Sequence, residues 1–366
     1  MRFQKRIPIR GLASIALLST TSACSMVAGP TPPAPEAEPV PRARQEEPAV
    51  SAPPRPAPRT VPPPVATSAP LPLPTEVRAL WVVRFTLTHP DSIRAMVERA
   101  YRAGFNTLIV QVRGRGDAYY QGRWEPRPEA VDRHGPGFDP LALVIQEAHA
   151  RGLGVHAWIN AHLVGGLGGL PTDPRHLIAR RPDLLAVPRE LARELFTVDP
   201  WNPRFAGSLL DYALANTDRI EGLYSAPSHP EVKEHLYSVW MDLLDSYALD
   251  GLHFDYIRYP NPEFDYSRGA LERFRTWVSP RLPPERFEEL DLEYRADPLA
   301  FVDALPGPWG DFRRAQITEL VQRIYLGVKK REPDAVVSAA VFPGAEDAYR
   351  SRFQDWRGWI QNGILD

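Results

Sequence analysis

From Glu76 to Asp366 the chain repeats one pattern, a short apolar run followed by a longer segment of helical period. Few folds accept that alternation. The runs Arg78–Arg84, Asn106–Val112, Gly154–Asn160, Gly251–Ile257 and Val336–Phe342 read as strands. Asp91–Ala103, Pro140–Arg151, Glu231–Tyr247, Asp311–Arg331 and Ala348–Gln361 read as helices. Asp139 stands where it can cap the helix at Pro140, and Gly104 and Gly152 stand where helices stop. A strand, a helix and a second strand in succession pair in parallel through a crossover. The continuous apolar character of Leu108-Ile109-Val110 and Val336-Val337 suits strands covered on both faces. The expected class is α/β, a TIM-type (β/α)8 barrel. A doubly wound sheet is the alternative, although no Gly-x-Gly-x-x-Gly turn follows the first strand.

The first 75 residues follow other rules. Seventeen of the 41 prolines lie between Pro30 and Pro74. Residues 25–75 have almost no aromatic residues and no apolar period, so they read as a disordered Pro-rich linker. Such a spacer is extended, at about 3.1 Å per residue. Residues 1–24 read as an export signal, with Arg2, Lys5, Arg6 and Arg10 ahead of the apolar stretch Gly11–Leu18. Thr21, Ser22 and Ala23 lead into Cys24, the only cysteine, at the position a bacterial lipoprotein acylates. The expectation is a lipid anchor on Cys24 and a cell-envelope location, facing the periplasm or the cell surface. The formal charge of −2, with no basic block past the N-terminus, argues against a protein that grips nucleic-acid phosphates. No apolar run after residue 25 is long enough for a membrane span. The remaining segment, 76–366, is expected to be one barrel domain.

Two long stretches, Ala161–Pro230 and Pro260–Gly310, interrupt the alternation. Both follow strand C-terminal ends, which in a barrel form the catalytic rim. The first contains Val164–Leu170 (VGGLGGL). It reads as a flexible loop, since the lysine of a phosphate-binding loop is missing.

Alternation along a strand sorts side chains by face. His156, Trp158 and Asn160 share one face, as do His253, Asp255 and Ile257, and as do Thr107, Ile109, Gln111 and Arg113. Polar groups inside a sheet are costly unless they are paired or functional. Asp255 is the leading acid. Glycosidases flank the scissile bond with two carboxyl groups. Partner candidates are Glu346 and Asp347, after the last strand, and Asp117, after Arg113. Asp347 could equally cap a helix and Asp117 close a glycine turn. Trp158, Tyr119, Tyr120, Trp124, Tyr256 and Tyr259 could offer flat surfaces to sugars, with core packing the better reading for Tyr256. A metal site on His156, His253 and Asp255 and a serine nucleophile are weaker readings, with neither a His-Glu-x-x-His nor a Gly-x-Ser-x-Gly motif present. No cofactor and no metal are expected, and the oligomeric state is open.

VRALWVVRF (Val77–Phe85), GFNTLIVQVRGRGDAYY (Gly104–Tyr120), PGFDPLALVIQEAHARGLGVHAWIN (Pro136–Asn160) and DGLHFDYIRYP (Asp250–Pro260) resemble the bacterial glycosyl hydrolase-like family 10. The resemblance continues through Asp311–Tyr325 and Val337–Trp359. It implies a TIM-barrel glycosidase domain, often on a lipoprotein, with relatives active on peptidoglycan glycan strands. It also implies that Arg113, Asp117, Trp158, Asn160, His253, Asp255 and Arg258 line the site, and Tyr259 is included with them.

The expected function is a tethered glycoside hydrolase of two-carboxylate mechanism, acting on cell-wall polysaccharide, with peptidoglycan glycan as partner. Asp255 would be nucleophile or charge stabiliser, and Glu346 or Asp347 the general acid. The alternative is a non-catalytic lipoprotein that binds the same glycan. With five strands complete and a sixth barely begun at Gly358–Asp366, the barrel is expected to be truncated, because five strands cannot close one.

Overall fold

The computed structural model describes residues 76–366. The export signal, Cys24 and the Pro-rich linker lie outside the described residues. Seven strands form among those described: β1 (Ala79–Val82), β2 (Thr107–Arg113), β3 (Gly154–Asn160), β4 (Leu163–Gly165), β5 (Leu223–Tyr224), β6 (Gly251–Asp255) and β7 (Val336–Ala339). Five of them make one parallel sheet in the order β1-β2-β3-β6-β7. These five fall on the five apolar runs. The order never reverses, whereas a doubly wound sheet reverses at its switch point. The winding is consistent with the wall of a TIM-type barrel.

The helices between strands start by a repeated local device. His89-Pro90, Asp139-Pro140, Asn202-Pro203 and His229-Pro230 each put a side-chain acceptor before a proline at the first helical position. The acceptor takes a free N–H of the first turn, and the proline has none to satisfy. Asp139 caps as expected, accepting from Ala142 N at 3.0 Å. Helices Pro90–Arg102, Pro140–His149 and Pro230–Ser246, begun in this way, and Pro306–Arg331, begun after Leu305 without a side-chain cap, connect the sheet strands. They stand against one face of the sheet, where Leu108, Val110, Val112, Val155, Ala157, Ile159, Leu252, Phe254 and Val337 lose all exposure. Each large side chain buried there contributes roughly 1.5–3 kcal/mol.

The other face is open. Trp81 keeps 47% of its surface, and Ile109, His156 and Ser338 are half-buried. The Trp81 ring meets Trp158 and His253 edge-on, with centroids 4.6 and 4.7 Å apart.

Three expectations need correction. The helix expected at Ala348–Gln361 is two helices, Ala345–Ser351 and Trp356–Gln361. Phe353 breaks it at φ 56°, and burial explains the break. Phe353 packs 5.2 Å from the Tyr259 ring and under the Arg313 guanidinium at 3.8 Å. The long helix starts at Pro306 rather than Asp311, because Trp309 and Phe312 dock there into a second apolar cluster. That cluster gathers Leu271, Phe274, Leu290 and Phe301 from the second insertion. The stretch at Val164–Leu170 is in part strand, since β4 pairs antiparallel with β5. Gly222 sits at φ 152°, and a Cβ there would come within 2.0 Å of the Gly165 carbonyl oxygen. Only glycine lets those two backbones meet.

Candidate active site

The strand C-terminal ends bring together part of the expected set. Registers pair Trp158 with His253 and Asn160 with Asp255. Asp255 is the last residue of β6. Tyr256 follows at φ 48°, a conformation that costs a non-glycine residue free energy and often marks a functional turn. That turn ends the strand two residues before the expected Ile257 and aims the Tyr256 N–H at Asp255 Oδ1, 2.7 Å away. The Trp158 indole N–H donates to the other oxygen, Oδ2, at 3.0 Å. Burial raises the Asp255 pKa, against the pull of the Tyr256 N–H, the Arg258 charge and the Trp158 bond.

Trp158 also donates to Asn160 Oδ1 at 2.9 Å, which takes a second bond from Gln111 Nε2 at 3.3 Å. Asn160 Nδ2 donates to the Gly114 carbonyl at 3.0 Å. The amide therefore ties the ends of β2 and β3 beside the acid.

Arg113 is placed differently from expectation. It is fully buried and meets no solvent from which a substrate could come. Its Nε donates to both oxygens of Glu125 at 2.9 and 2.7 Å. Its Nη1 donates to the carbonyls of Asn160 and Ala161. Glu125 also meets His235 Nε2 at 3.0 Å. Burial would raise the Glu125 pKa, but Arg113 and His235 hold it far below the carboxylate range. Arg113 is thus a buried clamp on the end of β3. Tyr259 is likewise in the core, at 1% exposure, so its expected contact with sugar does not arise. Tyr120 is buried as completely. Asp117 closes the turn, accepting from Gly114 N at 3.0 Å and Arg115 N at 2.8 Å.

His253 faces the aromatic cluster on the open side. Its Nδ1 lies 2.8 Å from Ser338 Oγ, and burial lowers its pKa to about 4. Among the described residues no three His, Cys, Asp or Glu side chains group closely enough to hold a metal ion, and that covers His156, His253 and Asp255.

Glu346 and Asp347 sit in the first turn of the exposed helix Ala345–Ser351. Glu346 is 72% exposed and pairs with Arg350 on the same helix. The structure does not bring either of them to Asp255. A different carboxyl group does share the field of Asp255. Glu221, from the first insertion, meets Arg258 Nη2 at 3.0 Å and accepts the Tyr224 hydroxyl. Burial would raise its pKa, but the Arg258 charge and the Tyr224 bond leave it lowered. Its charge adds to the rise at Asp255. Arg258 lies over the Tyr256 ring at 4.7 Å, which fixes the pair beside the acid. Glu125, His235, Glu221 and Trp81 are not singled out by the sequence pattern. Trp81 alone carries a signal there, an aromatic at a strand centre on the same parity as the site residues two strands away.

Comparison with known proteins follows the same lines. Glycosyl hydrolase YngK of Bacillus subtilis is 25% identical over 293 residues, which is 74% of this chain and 46% of that protein. Glycosyl hydrolase DigH of Escherichia coli K12 is 24% identical over 296 residues, 75% of this chain and 56% of that one. The chain spans about half the length of the curated relatives it matches. The glycoside hydrolase domain of PgaB (BpsB) from Bordetella bronchiseptica superposes with a TM-score of 0.50 at 15% identity, covering 78% of this chain and 71% of that one. It shares the fold. The sequence profile of the family glycosyl hydrolase-like 10 matches residues 76–366, and the chain belongs to that family.

Proposed function

We propose that the chain is a glycoside hydrolase acting on a cell-wall polysaccharide, the glycan strands of peptidoglycan, with Asp255 as its reacting carboxylate. The observation that carries this is the setting of Asp255. It ends a barrel-type strand on the open face, and an N–H group addresses each of its oxygens. Those two bonds favour the charged form, against the burial that raises its pKa, and fix its direction, as a nucleophile or charge stabiliser requires. Glu221 is the carboxyl group that shares its field, and Arg258 keeps it ionised. Trp81, held by the buried Trp158 ring and 47% exposed, offers aromatic surface suited to stacking on a sugar ring.

The parallel sheet, wound in sequence order with its helices on one face, supports a TIM-type barrel frame for the site. The export signal and Cys24 support a lipoprotein held at the envelope by its linker. Incubating glycan with the protein and measuring new reducing ends tests the activity. Binding without reducing ends would leave a glycan-binding lipoprotein instead. Cys24→Ser should move the protein out of the membrane fraction if acylation anchors it.

A further inference from the structure

Two guanidinium groups at the same rim have no carboxylate partner among the described residues. Arg84 leaves the end of β1 and Arg115 the end of β2. The Arg84 side chain crosses Gly114 so closely that a Cβ there would lie 2.5 Å from its Cδ. Its Nη1 donates to Gln111 Oε1, at 3.2 Å, and its guanidinium faces the exposed Phe85 ring at 4.5 Å. It also bears on the Tyr119 hydroxyl, a neutral group that burial keeps protonated. Arg115 Nη1 donates to the Gly114 carbonyl, at 3.2 Å. The two stems thus embrace one glycine, and both are partly buried. Burial and the Arg84 charge lower the Arg115 pKa, while Tyr256 and Asp117 oppose that. Asp117 acts on Arg115 through its charge without bonding its guanidinium, and its Oδ1 serves the turn N–H groups. Two other guanidinium groups at this rim each have an acid, Arg113 with Glu125 and Arg258 with Glu221.

Two like charges that are both partly buried around one glycine are costly unless an anion joins them. Guanidinium groups match a planar carboxylate through paired N–H bonds. Arg115 also lies by Gly166, where an added Cβ would stand 3.7 Å from Arg115 Nε. Arg84 is joined to the reacting carboxylate by a hydrogen-bonded chain, through Gln111 to Asn160 Oδ1, whose other donor, the Trp158 indole, also donates to Asp255. We propose that Arg84 and Arg115 form a carboxylate-binding subsite, so that the glycan handled here is an acidic one. This rests on the glycan-hydrolase reading above. The carboxylate belongs either to the sugar, as an ether-linked acid, or to a peptide attached to it.

The test compares three substrates with the full chain: peptide-stripped peptidoglycan glycan, the same glycan after chemical reduction of its carboxyl groups to alcohols, and peptide-bearing glycan. Reducing ends report cleavage, and calorimetry reports binding. The reduced glycan should lose about tenfold or more in kcat/KM and in affinity, the size of a lost charge-assisted hydrogen bond. In Arg84→Gln with Arg115→Gln, the ratio between stripped and reduced glycan should fall towards one. Preference for stripped glycan over peptide-bearing glycan assigns the carboxylate to the sugar, and the reverse preference assigns it to the peptide. Equal handling of stripped and reduced glycan overturns the subsite and leaves the hydrolase. Discrimination in binding without reducing ends keeps the subsite and overturns the hydrolase. No cleavage and no binding overturn both.

Discussion

The two faces of the five-stranded sheet are made from alternate residues of the same strands, yet they are different materials. One is aliphatic, helix-covered and dry, with Val110, Val155 and Leu252 at zero exposure. The other carries Trp81, His156, Trp158, His253 and Asp255, with water reaching part of it. Stability is concentrated on the first, and polar chemistry is gathered at the upper rim of the second. Phe254 and Asp255 are neighbours in sequence and lie on opposite faces, so a single peptide bond separates the two roles.

That separation can be broken most directly at those neighbours. Asp255→Asn should lower glycan cleavage about 10²–10⁴-fold with little change in melting temperature. Phe254→Ala should cost ~3–5 kcal/mol of stability, with the remaining folded fraction active. If Asp255→Asn unfolds the protein, or leaves cleavage intact, the division of roles is wrong.

The rim is where the faces are tied together, and the clamp there should behave like core. Glu125→Ala leaves the buried Arg113 charge alone and should cost ~3–5 kcal/mol, measured by denaturant unfolding. A loss under about 1 kcal/mol, the range of solvated ion pairs, would mean that water reaches the clamp.

Acid should weaken the open side before the aliphatic face is affected. Burial lowers the pKa of His253 to about 4 and, just past the end of β3, that of the fully buried His162 to about 3. Below the unfolded value of ~6.5, the unfolded chain binds protons that these folded rings refuse. Each therefore removes stability as pH falls, at up to ~1.4 kcal/mol per pH unit, until its folded pKa is reached. Urea midpoints at pH 7 and pH 5 measure the slope. His253→Gln should flatten it, and an unchanged slope would mean that other groups set it.

The smallest effect should come from Trp158→Phe. It keeps the ring and removes the N–H that favours ionised Asp255. The acid limb of the kcat/KM profile should then move to higher pH. Movement to lower pH would show that the indole does not hold the carboxylate.

How much of this was legible follows from how far each partner sits in sequence. Parallel strands announce themselves as apolar runs, and parity alone placed Trp158, Asn160, His253 and Asp255 on one face. The registers bear that grouping out. The clamp was not legible, because His235 is 110 residues from Glu125 and sits on a helix whose period reads as ordinary. Glu221 was hidden for the same reason, in an insertion with no strand pattern to orient it. Tyr259 reads as a surface for sugar because it follows a strand end, while Phe353, far along the chain, packs against it in the core. The place of Glu346 and Asp347 after a strand suggests a catalytic rim, but the helix they begin turns Glu346 outward to Arg350.

The contact between Gly165 and Gly222 has a consequence for inheritance. Glu221 and Tyr224 flank that contact, so the acid beside Asp255 holds its place through an atom that residue 222 lacks. Randomising position 222 should return glycine alone among active clones. A lineage that replaced it would have to rebuild both arms of the insertion together, so the two arms, far apart in sequence, are expected to diversify as one unit.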